Sequence, residues 1–471
     1  MKRLTCLFLA PLIYLVAVCS IAAQSGRVKD PDVTSSNGGA NKTSDAKLAV
    51  AKDSRTALQL YEEANNYTRK KFEDSNRLHA PFDEQLANKI KQEQRDLALR
   101  YATVLAARKL EGKDVYYLGL LYNLGRNNEA ALAAMRRFLT ENPNVAGQAA
   151  QDARAIIVIQ AAKQDLLLEA ESRLAAYTKD QPQLAEDRYE LEKWVATGYF
   201  KTKDYERALP HAREMLKAAL LAGKKKDPFA RDRMISDAML VISEADLKLK
   251  KKDEALAVVQ DLRHLALTLP SGNLYKLATR RLYEVAPSID LLKSFDGASA
   301  TSAELRELVA EEWIDQSPVK LSQLRGQVVL LDFWESWCGP CRTTFPRLAK
   351  WHESYQNRGL VIIGVTNFEG QKEGKSLTRA QELDYLRDYK KKFNLPYGFA
   401  VADSSDNELN YGVSSIPTTF LIDRRGVVRF ISVGANEDEI AALGKMIKRL
   451  IEEPAPPGNA KAVKKGEGVT Q

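Results

Sequence analysis

The chain has 471 residues, room for about three domains at roughly 150 residues each. Its 45% hydrophobic and 28% charged residues exclude wholesale disorder, a collagen-like fibre and a multi-span membrane protein. Net charge is +8, from 70 basic and 62 acidic residues, which is mild for this length and does not point to nucleic acid. The four histidines, His79, His211, His264 and His352, lack the paired spacing of a metal site.

Residues 1–23 open with Lys2 and Arg3, continue through the apolar stretch Leu4 to Ala23 and end in small residues. That order reads as an export signal cleaved after Ala22 or Ala23. The stretch also approaches the roughly 20 apolar residues that span a bilayer, so a retained anchor is the alternative. A lipid-modified Cys19 is a third reading, weakened by the bulk of Val18. All three export the chain, placing it in the periplasm or cell envelope. Residues 24–50 are rich in Ser, Gly, Asn, Asp and Lys and read as a disordered linker.

Residues 51–290 read as helical throughout, with sparse Gly and Pro and apolar residues at three- and four-residue steps. Ala131, Ala170, Ala208 and Ala255 are each followed seven positions later by a large apolar residue: Phe138, Tyr177, Met215 and Leu262. Pro143 and Pro182 follow their alanines by twelve. Small residues let paired helices approach, large ones fill the groove, and proline ends the second helix. The steps are 39, 38 and 47 residues; the last contains Gly223 and Lys224-Lys225-Lys226, which predicts a longer loop. The stretch Leu118-Gly119, Tyr122, Leu124-Gly125, Ala131, Phe138, Pro143 resembles tetratricopeptide repeats, as does Tyr199 with Lys203 to Ala208. The match is degenerate and the spacing exceeds the usual 34 residues. The resemblance implies stacked helix pairs with a concave face that binds a partner protein.

A connector, residues 291–305, precedes a segment of different character at 306–452. Apolar runs at Val328–Leu331, Leu360–Val365, Thr418–Ile422 and Val427–Ile431 read as strands, the last two joined by an Asp423–Gly426 turn. Helical patterns lie at 342–356, 378–393 and 438–452. Continuous apolar strands of this kind predict an α/β fold whose sheet is covered on both sides. Residues 453–471 read as a disordered tail.

Trp337-Cys338-Gly339-Pro340-Cys341 falls where the first strand gives way to a helix. A thiolate at a helix start faces unpaired N–H groups and the positive end of the dipole, which should draw the Cys338 pKa from about 8.5 towards 7. Pro340 suits the first turn, where its missing N–H costs nothing. Cys341 lies one turn along, in reach of Cys338. A zinc half-site would need further thiolates or histidines, and a structural disulfide over so short a span would stabilise weakly. A working redox pair is the remaining reading.

The run Phe333 to Cys341 resembles the thioredoxin active site. Leu321 to Gly326 and Ser415-Ile416-Pro417-Thr418 to Asp423 are similar to exported thioredoxin-like thiol–disulfide oxidoreductases of the TlpA type. The likeness covers about a third of the chain. Together with the tetratricopeptide-like segments it implies a multidomain protein, an all-α TPR-like N-terminal domain followed by an α/β thioredoxin-like C-terminal domain. It also implies a cis Ile416–Pro417 bond facing the cysteines, and a substrate strand held by Trp337, Gly339, Pro340, Ile416 and Pro417. Asp332, in an apolar strand six residues before Cys338, has the place of the buried proton acceptor and should have a raised pKa. At Thr344 many TlpA-type relatives carry a glutamate, which leaves Asp332 as the only obvious acid. The stretch from Glu369 through Lys392 is longer and more charged than the core fold requires, and His352 reads as a helix-surface residue.

The expected function is reduction of protein disulfides through Cys338 and Cys341, with no metal and no cofactor beyond that redox-active pair. Expected partners are disulfide-containing protein substrates, a membrane electron donor and a protein bound to the helical repeats, without nucleic acid. A binding scaffold with a secondary redox site, and a thiol peroxidase, are the alternatives.

Overall fold

The computed structural model describes residues 53–77, 83–289, 305–372 and 374–454. The leader, the linker, most of the connector and the tail read from the sequence lie outside these residues, as does His79.

Eleven described helices precede the sheet: α1 (Ala57–Arg77), α2 (Glu84–Ala106), α3 (Lys113–Leu124), α4 (Asn128–Glu141), α5 (Gln148–Lys163), α6 (Leu167–Lys179), α7 (Ala185–Lys201), α8 (Tyr205–Gly223), α9 (Pro228–Lys248), α10 (Lys252–Thr268) and α11 (Gly272–Val285). Asn127, Asp204, Asp227 and Ser271 cap helix starts, each side chain accepting a backbone N–H of the first turn. The alanines Ala131, Ala170, Ala208 and Ala255 are fully buried, and their large companions nearly so.

One turn geometry recurs four times. Arg126, Asp165, Lys203 and Lys250 all have positive φ, and each stands five residues before one of those alanines. The next residue in each case donates its N–H back five positions: Asn127 to Tyr122, Leu166 to Ala161, Asp204 to Tyr199 and Lys251 to Asp246. This is the Schellman closure of a helix C-terminus, made here without glycine. The extra residues of the last step do not lengthen a loop, as the lysine run suggested. They extend α8 and α9 to 19 and 21 residues, joined by the short segment 224–227. The reason lies in Ala218, Ala219 and Ala222, which stay buried and keep the helix packed past the length at which α4 and α6 stop.

The C-terminal region comprises β1 (Glu312–Ile314), β2 (Val328–Phe333), α12 (Gly339–Tyr355), β3 (Leu360–Asn367), the small hairpin β4 (Gln371–Lys372) and β5 (Lys375–Ser376), α13 (Arg379–Lys392), β6 (Gly398–Ala402), α14 (Asp406–Asn410), β7 (Thr418–Ile422), β8 (Val428–Val433) and α15 (Glu437–Glu452). The main sheet runs β1-β6-β3-β2-β7-β8. Strands β2, β3 and β6 are parallel, and the other three pair antiparallel. Strands β1 and β6 were not predicted. Both are short, and β6 begins at Gly398, which reads as a breaker in a sequence but here lies against Gln316.

Side chains alternate across the sheet, as the period of two requires. Val328, Leu330 and Trp334 face a core shared with Phe345 and Leu348 of α12, Leu386 and Tyr389 of α13, and Leu443 and Ile447 of α15. Val329, Leu331 and Phe333 face the other way. Their cover is not a helix layer of the same region, which offers only the five-residue α14 there. It is the helical array: Ile363, Val365, Phe420 and Ile431 of the sheet share one continuous apolar core with Ile235, Met239, Leu274 and Tyr275. Among the described residues no helix is long and apolar enough to cross a membrane.

Candidate functional site

Strand β2 delivers the chain to Cys338, which is the N-cap residue of α12. Cys338 and Cys341 are joined in a disulfide, with Cα atoms 5.3 Å apart. The Cys341 N–H donates to Cys338 Sγ at 3.1 Å, so the cap is a sulfur and the helix start is aimed at it. The Cys338 N–H in turn donates to the Glu335 carbonyl at 3.0 Å. Cys341 is fully buried and Cys338 only 3% exposed, whereas Trp337 is 64% exposed. Gly339 and Pro340 are exposed between the cysteines, and a side chain at Gly339 would meet nothing. Arg342, just past Cys341, donates to the Ser336 carbonyl at 2.8 Å and to the Tyr389 hydroxyl at 3.2 Å.

The Ile416–Pro417 peptide is cis. Ile416 is half-buried and packs against both apolar cores, including the one that holds the two cysteines. The Pro417 carbonyl accepts from the Gly434 N–H at 2.7 Å. These residues, far apart in sequence, are thereby brought to one end of the sheet.

Asp332 lies on the α12 face of β2, in register between Gly364 and Thr419. It is fully buried, and neither carboxyl oxygen has a hydrogen-bond partner among the described residues. Burial alone pushes its pKa up to about 7. Gly364 is required opposite it, because a Cβ there would stand 2.8 Å from both Phe399 and the Trp334 ring nitrogen.

Asp332 is not the only acid. Glu335, overlooked in the sequence, turns inward: Thr366 Oγ1 donates to its carboxylate at 2.9 Å, and the Asn367 N–H and side-chain amide both lie 3.3 Å away. Burial, with Glu369 and Glu408 nearby, holds the Glu335 carboxyl well above the usual carboxylate range. Glu369 is raised as well, chiefly by burial. A glutamate flanked by two tryptophans just past an apolar strand was the available signal. His352 is also less superficial than expected, half-buried with its ring 6.2 Å from that of Tyr397. Thr344 is buried and donates its hydroxyl to the Cys341 carbonyl at 2.8 Å. The long charged segment forms the β4–β5 hairpin and α13, whose Glu382 accepts the N–H groups of Glu369 and Gly370.

A central β2–α12–β3 unit, two antiparallel strands after a cis proline and a Cys-x-x-Cys disulfide at a helix start define a thioredoxin-like domain. Residues 297–431 match the AhpC/TSA family. The chain is 32% identical over 121 residues to the thiol-disulfide oxidoreductase ResA of Geobacillus thermodenitrificans, covering 26% of this chain and 62% of that one. It is 30% identical over 141 residues to ResA of Oceanobacillus iheyensis, covering 30% and 65%. It is 29% identical to the thioredoxin-like protein YneN of Bacillus subtilis, covering 30% and 72%. The chain thus spans somewhat less than two thirds of the first two relatives. Among solved structures, a thiol-disulfide isomerase from Corynebacterium glutamicum is 22% identical, with 33% of this chain and 99% of that chain covered and a TM-score of 0.28.

Proposed function

We propose that this protein exchanges thiols and disulfides with protein substrates, acting as a reductant. The observation that carries the reading is the Cys338–Cys341 disulfide at the start of α12, with the Cys341 N–H directed at Cys338 Sγ. The named relatives, thiol-disulfide oxidoreductases, support it.

In the reduced protein, the Cys338 thiolate attacks one sulfur of a substrate disulfide. A Cys338–substrate disulfide forms and the other substrate sulfur leaves as a thiolate. Cys341 then gives its proton to Asp332, its sulfur attacks Cys338 Sγ, and the second substrate thiol is released. Two electrons pass from the dithiol to the substrate. A membrane-bound dithiol donor restores the pair. A carboxyl whose pKa lies at about 7 suits the proton transfer, because near neutral pH part of the population is carboxylate and that carboxylate is a stronger base than an exposed one. Trp337, Gly339 and Pro340 form the exposed platform for the substrate, and the backbone at Ile416, before Pro417, pairs with its strand.

Within this reading residues 51–290 form a TPR-like array that engages a partner or the substrate, residues 306–452 carry the chemistry, and the leader exports both. The test is a Cys341→Ser variant exposed to an envelope extract. It should accumulate mixed disulfides that dithiothreitol releases, while Cys338→Ser accumulates none. If both variants behave alike, or if the wild type fails to reduce insulin, the proposal is wrong.

A further inference from the structure

The first N–H groups of a helix have no partner within it. In α11 two of them are satisfied from the thioredoxin-like domain: Gly272 N–H donates to the Tyr411 carbonyl at 3.0 Å and Asn273 N–H to the Gly412 carbonyl at 2.7 Å. The contact continues in side chains. Ser414 Oγ donates to Asn273 Oδ1 at 3.0 Å, and Lys276 Nζ donates to Ser415 Oγ at 3.2 Å. Ser415 adjoins Ile416, so a substrate strand paired with the Ile416 backbone passes the Lys276 ammonium. Lys276 is exposed, as is Arg342 beside the cysteines. The acids just past β2 and β3 are partly buried, whereas Asp403, Asp406, Glu437 and Asp438 at the same end of the sheet are exposed, Asp403 paired with Arg379 and Glu437 with Arg347. Glu335 and Glu369 are held above the carboxylate range by burial, and Glu408 accepts from the Asn367 amide at 2.7 Å.

We propose that Lys276, presented by the helical array, is a specificity-determining residue of the thiol–disulfide site and favours disulfides flanked by acidic side chains. The inference rests on the function proposed above. Asn273 positions it by fixing the loop against the helix. The array is then part of the substrate groove as well as a support for the sheet.

The probes are cyclic peptides closed by one disulfide and identical except for Asp, Ala or Lys on both sides of the reacting cysteine. Reduced full-length protein is mixed with each, and exchange is followed by tryptophan fluorescence at low ionic strength. The wild type should react fastest with Asp and slowest with Lys, about tenfold apart, and salt at about 0.5 M should compress the range. Lys276→Glu should reverse the order, and Lys276→Gln should flatten it. An unchanged Asp-to-Lys ratio in Lys276→Glu overturns the inference and leaves the proposed function standing. A wild type that exchanges with none of the peptides overturns both.

Discussion

The carbonyl of Tyr411 accepts the N–H of Gly272, so a loop of the thioredoxin-like domain caps the last helix of the array. The Tyr411 ring packs on Phe333 and Phe420, its hydroxyl donates to the Arg306 carbonyl at 2.6 Å, and the chain runs on from it to Pro417. Seam, sheet core and cis-proline loop are one piece of packing.

Gly412 tests that piece. It has φ +54°, and a Cβ there would stand 2.7 Å from Ser271 Oγ and 3.0 Å from Asp232 Oδ2, both buried. Gly412→Ala should cost about 2–4 kcal/mol, combining left-handed strain with overpacking. Urea unfolding measures it, and a loss under about 0.5 kcal/mol would show that the seam is slack.

The shared core predicts one cooperative unit. Helix loss by circular dichroism, dominated by the array, should coincide with the fluorescence change of Trp313, Trp334, Trp337 and Trp351, which lie beyond it. Residues 305–454 produced alone would bare Leu331, Phe333, Ile363 and Phe420, fully buried in the whole chain. Each such side chain contributes about 1.5–3 kcal/mol when buried. The fragment should bind a hydrophobic dye and melt without a sharp transition. A sharp melt at the full-length midpoint would refute this.

Asp332 makes stability pH-dependent with a definite sign. Its pKa is about 7 in the folded protein and about 3.9 unfolded. Between those values the folded state holds the extra proton, so stability from this group is greatest below about pH 4 and falls as pH rises, the loss being complete above about 7. The span is on the order of 4 kcal/mol. Asp332→Asn removes it, so the oxidised variant should match wild type near pH 4 and exceed it at pH 8. Parallel denaturation midpoints across that range would contradict the burial argument.

The repeated turns offer a gain. Lys203 adopts φ +64° at a helix C-terminus, a conformation that glycine takes without penalty. Lys203→Gly should raise stability by about 0.5–1 kcal/mol, seen as a higher Tm. A lower Tm would mean that the lysine side chain contributes more than its backbone costs.

Much of this was legible in the chain. Ala131, Ala170, Ala208 and Ala255 announced the array because small residues at helix crossings leave a periodic mark. Cys338 and Cys341 announced the disulfide because three residues after a helix start is one turn. Pro417 and the apolar strands gave the sheet because those signals are local. What stayed hidden depended on contacts between distant segments. Glu335 turns inward only because Thr366 and Asn367 on β3 receive its carboxylate. Val329, Leu331 and Phe333 predicted a covered face, yet nothing near them said that Ile235, Met239 and Leu274 would cover it. Local patterns fix which surfaces must leave water, since burial follows from each residue's own hydration. They leave open which surface meets which, because that choice depends on shape and on unpaired polar groups that exist only once both surfaces have formed.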